Sequence, residues 1–150
     1  MEIIKTSSKN KDFQLLVAQL DDELAERDGP DHDFYHQFNG IENLDHVILV
    51  KTDEHAIACG AIKAFGQDTM EVKRMFVKKE FRSRGIAKLT LGALEAWALE
   101  LGIKKCILET GKRQPEAIAL YRKAGYNTIP NYGQYRDVEN SVCMEKSLKL

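Results

Sequence analysis

The sequence predicts a mixed α/β fold, with a mostly antiparallel sheet and helices packed on both of its faces. Two observations predict this class. Apolar residues at helical spacing alternate along the chain with short apolar runs that are typical of buried strands. Three successive strand-like runs between residues 47 and 77 are joined by short turns, as in an antiparallel meander. The length of 150 residues suits one core, so we expect a single domain over residues 1–150.

The N-terminal half is predicted to contain a short strand, a helix and the meander. Ile3–Ile4 indicates the strand, and apolar residues at helical spacing predict a helix from about Asp12 to Arg27, which Asp28-Gly29-Pro30 ends. A short helix or loop should follow up to Gly40. The meander strands are expected at residues 47–50, 56–65 and 69–77.

The C-terminal half is predicted to alternate helices and strands. One helix should begin near Ser83–Gly85 and end at Gly102, and a second should begin at Pro115 and end at Gly125. The expected apolar face of the first helix comprises Ile86, Leu89, Ala93, Leu94, Trp97 and Leu101. Strands are expected at residues 106–108, in the segment that holds Tyr126, Ile129, Tyr132 and Tyr135, and from about 141 to 148, which gives the order β-α-α-β-β-β-α-β-α-β-β.

Composition and charge restrict the classes of partner. The formal net charge of -1 argues against general binding to nucleic acid or to a membrane surface. Three distant cysteines, an odd number, are expected to be buried free thiols in a reducing compartment. We expect a cytoplasmic location, because the N-terminus lacks a signal-peptide pattern and no apolar run reaches the ~20 residues of a membrane span. His32 and His36 lack an evident third ligand, so no metal site is expected.

A basic loop between a strand and a helix is the most informative segment. The strand ends at Val77, and the helix begins near Gly85. The start of a helix leaves backbone N–H groups unpaired and carries partial positive charge, so it favours an anion. Gly85 would let a ligand approach the backbone, and Arg82 and Arg84 bring forked donors suited to phosphate. On charge alone a solvated cationic surface is the alternative, but the strand–loop–glycine–helix context favours an anion site.

The loop lacks the two common nucleotide motifs, G-x-x-x-x-G-K-[ST] and G-x-G-x-x-G. Residues 82–87, R-S-R-G-I-A, instead resemble the [Q/R]-x-x-G-x-[G/A] pyrophosphate loop of the GCN5-related N-acetyltransferases, the GNAT family. Residues 71–77 look like that family's central strand, and residues 114–126 are similar to its N-x-x-A-x-x-L-Y-x-x-x-G-[FY] segment. The order and spacing of these motifs agree over about residues 57–126.

The resemblance implies the GNAT acyl-CoA N-acyltransferase fold, acetyl-CoA as co-substrate and an amine as acceptor. It implies that backbone groups of Met75 and Val77 bind the pantetheine arm, and that amides from Arg82 to Lys88 cradle the pyrophosphate. Gln114 stands where the family usually has asparagine, and its side chain is one methylene longer. The implied cofactor-binding residues are Met75, Phe76, Val77, Arg82, Ser83, Arg84, Gly85, Ile86, Ala87, Lys88 and Gln114.

Two catalytic roles follow from the resemblance. A lysine-like amine with a pKa of about 10.4 is neutral in only about one molecule in a thousand at pH 7, so a base is needed. Glu71 matches a position that often carries this base; the alternative is an exposed strand glutamate beside Lys73. Tyr121 matches the tyrosine that faces the sulfur and would protonate the leaving thiolate; the alternative is a core tyrosine with a hydrogen-bonded hydroxyl. The backbone N–H near Met75 or Val77 would stabilise the oxyanion.

The acceptor site is less defined by the sequence. The first helices usually form one of its walls in this family, and acidic residues crowd residues 21–45, so this wall would attract a cationic amine or simply solubilise the helix. The Tyr132–Tyr135 loop is expected to form the other wall or to pack on the surface. A small-molecule amine is favoured because no separate peptide-docking domain is seen. A polyamine, an amino acid, an aminoglycoside-like compound and a protein amine all stay open.

Two other functions remain to be weighed. The first is a catalytically silent sensor that binds acetyl-CoA and regulates a partner, against which the presence of both Glu71 and Tyr121 speaks. The second is a phosphate-binding nucleotide module that uses the basic loop, which the missing P-loop and the near-neutral charge disfavour. The resemblance is also compatible with a homodimer, since members of this family often pair.

Overall fold

A seven-stranded sheet forms the centre of the protein in a computed structural model that describes residues 1–29 and 44–149. The strands are β1 (Glu2–Thr6), β2 (His46–Thr52), β3 (His55–Gly66), β4 (Thr69–Val77), β5 (Lys105–Gly111), β6 (Asn127–Ile129) and β7 (Ser141–Ser147). The helices in the described ranges are α1 (Lys11–Asp28), α2 (Ile86–Glu100) and α3 (Pro115–Lys123). The second helix or loop expected up to Gly40, and the histidines 32 and 36, lie outside the described residues.

The sheet has the strand order β1-β2-β3-β4-β5-β7-β6, and the β4–β5 pair is its parallel one. Strands β2, β3 and β4 form the antiparallel meander that the sequence predicts, with turns at the predicted places. Asp53 and Glu54 both have positive φ in the two-residue turn between β2 and β3, which suits the twist of a hairpin. The prediction of a mixed, mostly antiparallel sheet is confirmed.

Helices cover both faces of the sheet, also as predicted. Helix α1 packs on one face with Phe13, Leu16 and Leu20 against strands β2, β3 and β4. Helices α2 and α3 pack on the other face, where Leu94 and Tyr121 belong to the larger cluster of buried residues. The start of α1 agrees with its sequence, because the side chain of its N-cap residue accepts a hydrogen bond from the Phe13 N–H at 3.0 Å.

The buried face of α2 differs from the predicted one. Leu89 and Leu101 are 37% and 46% exposed, whereas Leu91 is buried. The buried stripe also includes Thr90, whose hydroxyl donates to the Ile86 carbonyl at 2.8 Å and so needs no other partner. Because a polar residue lies inside the buried stripe, the apolar residues alone predict the wrong face of α2.

Strand β4 bends away from β5 after its first three residues. The two strands pair only between Thr69–Glu71 and Lys105–Ile107, although both continue further. The β3–β4 register shifts between Cys59 and Ala61, opposite Arg74, whose φ is 59°. This bulge turns the second half of β4 outward. A wedge therefore opens between the two strands, and no strand of the described residues pairs with this edge of β4 beyond Glu71.

The three cysteines are buried free thiols, as predicted. Burial raises the pKa of Cys59 to about 12, and it raises the pKa values of Cys106 and Cys143 to about 11. These thiols are therefore neutral at physiological pH. Among the described helices, none is long and apolar enough to cross a membrane.

Candidate active site

Two hollows meet in the wedge between β4 and β5. The larger, which we call the groove, has a volume of about 560 Å³ and runs along the outer half of β4, the basic loop, the start of α2 and one side of α3. The smaller, which we call the inner cavity, has a volume of about 120 Å³ and lies between β4, β5 and α1. The residues that line both hollows are Leu20, Met75, Gln114, Ala117 and Tyr121.

The groove brings together nearly all of the residues predicted to bind the cofactor. Those that line it are Met75, Phe76, Val77, Arg82, Ser83, Gly85, Ile86, Ala87, Lys88 and Gln114. Arg84 is the exception, because its guanidinium lies 5.6 Å from the ring centroid of Phe81 and it does not line the groove. The inner end of the groove meets the cavity, because both hollows are lined by Met75, Gln114 and Tyr121.

The loop at the start of α2 presents unpaired backbone N–H groups. Residue Gly85 is the N-cap with a φ of 77°, a left-handed conformation that glycine adopts without strain. The N–H groups of residues 83–88 form no hydrogen bond with any described residue, whereas the Leu89 N–H donates to the Gly85 carbonyl at 3.0 Å. The Arg82 N–H is also occupied, since it donates to Lys79 at 3.3 Å. This arrangement fits a diphosphate at the helix start.

The side chain of Arg82 has an internal role. Its Nε donates to the Val77 carbonyl at 2.8 Å, and its Nη1 lies 2.9 Å from a carboxylate oxygen of Glu23 on α1. A guanidinium engaged in this way fixes the loop against α1 instead of offering a free fork to phosphate. An ion pair between Arg27 and Glu116 similarly joins α1 to α3 at the groove. No sequence motif indicated that Glu23, Arg27 and Glu116 are groove residues.

Glu71 lies on β4 at the inner cavity and is only 7% exposed. The alternative of an exposed strand glutamate is therefore wrong, although the expected neighbour is present, with the Lys73 Nζ 3.7 Å from Oε1. The Tyr132 hydroxyl donates to the Glu71 Oε2 at 2.6 Å. Burial, followed by the charge of Glu71, raises the pKa of Tyr132, so the phenol keeps the proton that it donates. The carboxylate is thus held in place from two sides.

The loop that contains Tyr132 and Tyr135 closes one side of the cavity, as the sequence analysis considered. Tyr135 is 1% exposed and lines the cavity, while Tyr132 packs edge-on against Phe65 with ring centroids 5.1 Å apart.

On α1, the expected acidic wall is partly neutralised, because Asp21 and Glu23 pair with arginines of β4 and of the basic loop.

Tyr121 of α3 lines both hollows. Its hydroxyl forms no hydrogen bond with a described residue, contrary to the alternative of a hydrogen-bonded core tyrosine. Its ring packs edge-on against Tyr126 with centroids 5.8 Å apart, and Tyr126 itself packs in the core and donates to Glu95 at 2.9 Å. Burial, followed by the charge of Glu109, raises the pKa of Tyr121. The phenol is therefore a protonated donor at the junction of the hollows.

Two charged residues of the cavity were missed by the sequence analysis. Glu109 of β5 lines the cavity and accepts a hydrogen bond from the Ser141 hydroxyl at 2.7 Å. A carboxylate directly after the apolar run Cys106–Leu108 was the available signal. Arg74 also lines the cavity and pairs with Asp21. Arg74 gave no distinct signal in the sequence, because the charged residues Glu71 and Lys73 lie in the same strand.

These features define a class of protein. A groove with free amides at a helix start suits a long ligand that carries a diphosphate, and the cavity at its inner end, which is lined by charged groups of both signs, suits a small second ligand. The combination indicates an enzyme that transfers a group from the first ligand to the second.

The comparisons identify the family. The acetyltransferase (GNAT) family profile matches residues 13–126, so the chain belongs to this family, whose co-substrate is acetyl-CoA, and it is an N-acetyltransferase. It is 39% identical to an IAA acetyltransferase of Azospirillum brasilense over 102 residues, which cover 67% of each chain. It is 28% identical to an uncharacterized N-acetyltransferase of Schizosaccharomyces pombe over 138 residues, which cover 88% of this chain and 76% of that one.

Solved structures show the same fold. An acyl-CoA N-acyltransferase of Klebsiella pneumoniae superposes with a TM-score of 0.81 at 27% identity, covering 99% of this chain and 97% of that one. A GNAT acetyltransferase of Elizabethkingia anophelis, crystallised with acetyl-CoA, superposes with a TM-score of 0.71 at 18% identity, covering 98% and 97%. At the latter identity the likeness concerns the fold alone. The predicted GNAT fold is confirmed.

Proposed function

We propose that this N-acetyltransferase transfers the acetyl group to the primary amine of a small molecule, by direct attack while both substrates are bound. The junction of the two hollows at Met75 and Tyr121 is the observation that carries the proposal, because it puts a long ligand and a small one end to end. The small cavity volume, about 120 Å³, supports an acceptor of few atoms.

The groove residues are proposed to hold acetyl-CoA. The N–H groups of residues 83–88 would bind the diphosphate, and the edge of β4 at Met75 and Val77, which no described strand covers, would bind the pantetheine arm as an added strand, although the Val77 carbonyl already accepts a hydrogen bond from Arg82. Gln114 lies at the junction, where its amide would contact the cofactor. When bound, acetyl-CoA supplies the thioester carbonyl that the amine attacks.

Three groups of the chain would assist the reaction. Glu71 removes a proton from the amine, directly or through water, as the new C–N bond forms. A backbone N–H near Met75 or Val77 stabilises the negative charge on the carbonyl oxygen. Tyr121 holds a proton at the sulfur and donates it as the C–S bond breaks, so that free thiol leaves. Glu109 is a second carboxylate within the same cavity. The variants Glu71→Gln and Glu109→Gln are therefore compared to decide which of the two residues is the base.

Direct attack requires no acetylated enzyme, and none of the described residues that line either hollow is a cysteine, the side chain with the greatest intrinsic nucleophilicity toward a thioester. Initial rates measured while both substrates are varied should give intersecting reciprocal plots. Parallel plots would instead indicate an acetyl-enzyme and would contradict the proposed order of steps.

The silent sensor is the competing function. It shares the groove but requires no base and no acid at its inner end, whereas Glu71 and Tyr121 both line the inner cavity here. The test is a thermal-shift titration with acetyl-CoA, followed by thiol release with a panel of small amines. A rise in melting temperature with amine-dependent thiol release supports transfer, since a ligand that binds the native state stabilises it by mass action. A rise with no release from any amine supports the sensor.

A further inference from the structure

Arg74 lines the inner cavity, and most of the hydrogen-bonding capacity of its guanidinium is unused. Its side chain is 2% exposed, and its Nη2 donates to the Asp21 Oδ1 at 2.8 Å. Its Nε and Nη1 are buried and have no hydrogen-bond partner among the described residues. These two nitrogens carry three of the five N–H donors of a guanidinium.

Unsatisfied donors of this kind are rare in native proteins. An arginine cannot lose its charge by releasing a proton, and a buried charge is normally paired and fully hydrogen-bonded. Asp21 approaches only one of the three nitrogens of Arg74, so the ion pair alone leaves the group incomplete. An anionic oxygen of a ligand would complete it, because charge-assisted hydrogen bonds to carboxylates are among the strong ones.

The backbone of Arg74 has an unfavourable conformation where the residue reaches the cavity. Its φ of 59° is left-handed, which is uncommon for a residue with a side chain. The position lies in the bulge opposite Gly60, where an added Cβ would come within 2.6 Å of the Met75 Sδ. Bulges of this kind commonly redirect a side chain next to a functional site. Here the bulge brings Arg74 to the side of the sheet covered by α1.

We propose that Arg74 is a carboxylate-binding subsite and that the acceptor is a small amine that also carries a carboxylate, as an amino acid does. This inference rests on the proposed function, since it names the class of acceptor for the same cavity. The charged residues that line the cavity are of both signs, Glu71 and Glu109 against Lys73 and Arg74. Such a lining matches a zwitterion better than a polyamine or a hydrocarbon amine.

The first test uses the wild-type enzyme and needs no variant. Thiol release is measured at saturating acetyl-CoA with glycine, β-alanine and 4-aminobutyrate, and with methylamine, ethylamine and propylamine, which have the same chains without the carboxylate. Rates are compared per neutral amine to remove differences in amine pKa. At least one amino acid should exceed its partner by about 10- to 100-fold in kcat/KM, the value of one charge-assisted hydrogen bond. Equal values in all three pairs would overturn the proposal.

The second test assigns the preference to Arg74. In Arg74→Gln the carboxylate preference, which is the ratio of kcat/KM for the amino acid to kcat/KM for its alkylamine, should fall to within about threefold of unity. Arg74→Lys keeps the charge and should retain part of the preference. The matched control is Asp21→Asn, which alters the same ion pair from the other side and should retain the full preference. If Arg74 serves only to pair with Asp21, both sets of variants will lose thermal stability and neither will change the preference.

A binding measurement tests, independently of turnover, whether Arg74 binds a carboxylate. The CoA-bound protein is heated with propionate or with propionamide, which differ in charge but hardly in shape. Propionate should raise the melting temperature more, and Arg74→Gln should abolish that difference. Equal shifts would refute the subsite. Turnover without a carboxylate preference would refute this inference alone, whereas the absence of any transfer would refute the proposed function and leave the propionate result to decide on Arg74.

Discussion

The groove and the inner cavity are built in different ways. The groove takes half of its lining from one stretch, residues 75–88, and the other half from α1 and α3, but its proposed contacts with the cofactor are mainly backbone N–H groups and a strand edge of that one stretch. The cavity is lined by side chains from α1, β4, β5, α3 and the turn at Tyr135. The difference teaches that a site built on backbone groups can be predicted from local sequence, whereas a site built from side chains depends on which distant residues meet.

This comparison predicts separable kinetic effects. A change in the groove should alter the affinity for acetyl-CoA, a change in the cavity should alter use of the acceptor, and a change at the junction should lower turnover itself. The predictions below test this separation, beginning with the junction.

Tyr121→Phe should lower kcat by roughly 10²-fold or more, because the variant cannot protonate the departing thiolate. Affinity for acetyl-CoA should stay within a few fold of wild type. The matched control is Tyr126→Phe, since Tyr126 is its ring neighbour but lines neither hollow. This control should lose stability with little loss of turnover. Equal kcat values for Tyr121→Phe and wild type would remove the tyrosine from the mechanism.

Glu71→Gln should lower kcat/KM for the acceptor by about 10²-fold near neutral pH, where almost all of the amine is protonated. The deficit should shrink as pH rises toward the pKa of the amine, because the neutral amine then needs no base. Glu109→Gln is the paired variant in the same cavity. A loss that is independent of pH for Glu71→Gln, or a pH-dependent loss only for Glu109→Gln, would move the base to another residue.

Gly85→Ala should weaken acetyl-CoA binding by about tenfold, roughly 1.4 kcal/mol, with kcat nearly unchanged. The added Cβ meets no atom of the described residues within 4 Å, so its main effects are backbone strain at a φ of 77° and crowding of the diphosphate site. Gly102→Ala is the control, because Gly102 follows the same helix at its other end, with a φ of 81° and equally open space. Titration calorimetry should show weakened binding only for the Gly85 variant; the same loss in both would indicate a general effect on folding.

The smallest effect is expected from thiol modification. The pKa values of Cys106 and Cys143 are raised to about 11, so only about one thiol in a thousand is ionised at pH 8. The native protein should therefore react very slowly with a disulfide reagent at pH 8, and should release its thiols to the reagent on unfolding. Treatment with an alkylating agent should leave both acetyl-CoA affinity and turnover unchanged. Rapid inactivation, prevented by acetyl-CoA, would place a cysteine at the groove after all.

The two hollows also differ in how far the sequence analysis reached. Ten of the eleven predicted cofactor residues line the groove, and Arg84 does not. In the cavity, Glu71 and Tyr121 were singled out, but Glu109 and Arg74 were not. The roles of all these residues stay predictions. Arg82 shows the difference most directly. Its guanidinium was expected to bind phosphate, but in the structure it pairs with Glu23, a residue 59 positions away along the chain.

By itself, the sequence determined the class of fold, the meander, the three described helices and the helix start at Gly85, since each of these depends on periodicity, turn chemistry or a glycine conformation that acts within a few residues. Only the tertiary structure decided the splay of β4 from β5, the burial of Glu71 beneath Tyr132 and the incomplete pairing of Arg74. The physical reason is that a side chain's burial and partners come from strands and helices far away in the chain, and no local pattern records which of them will be its neighbours.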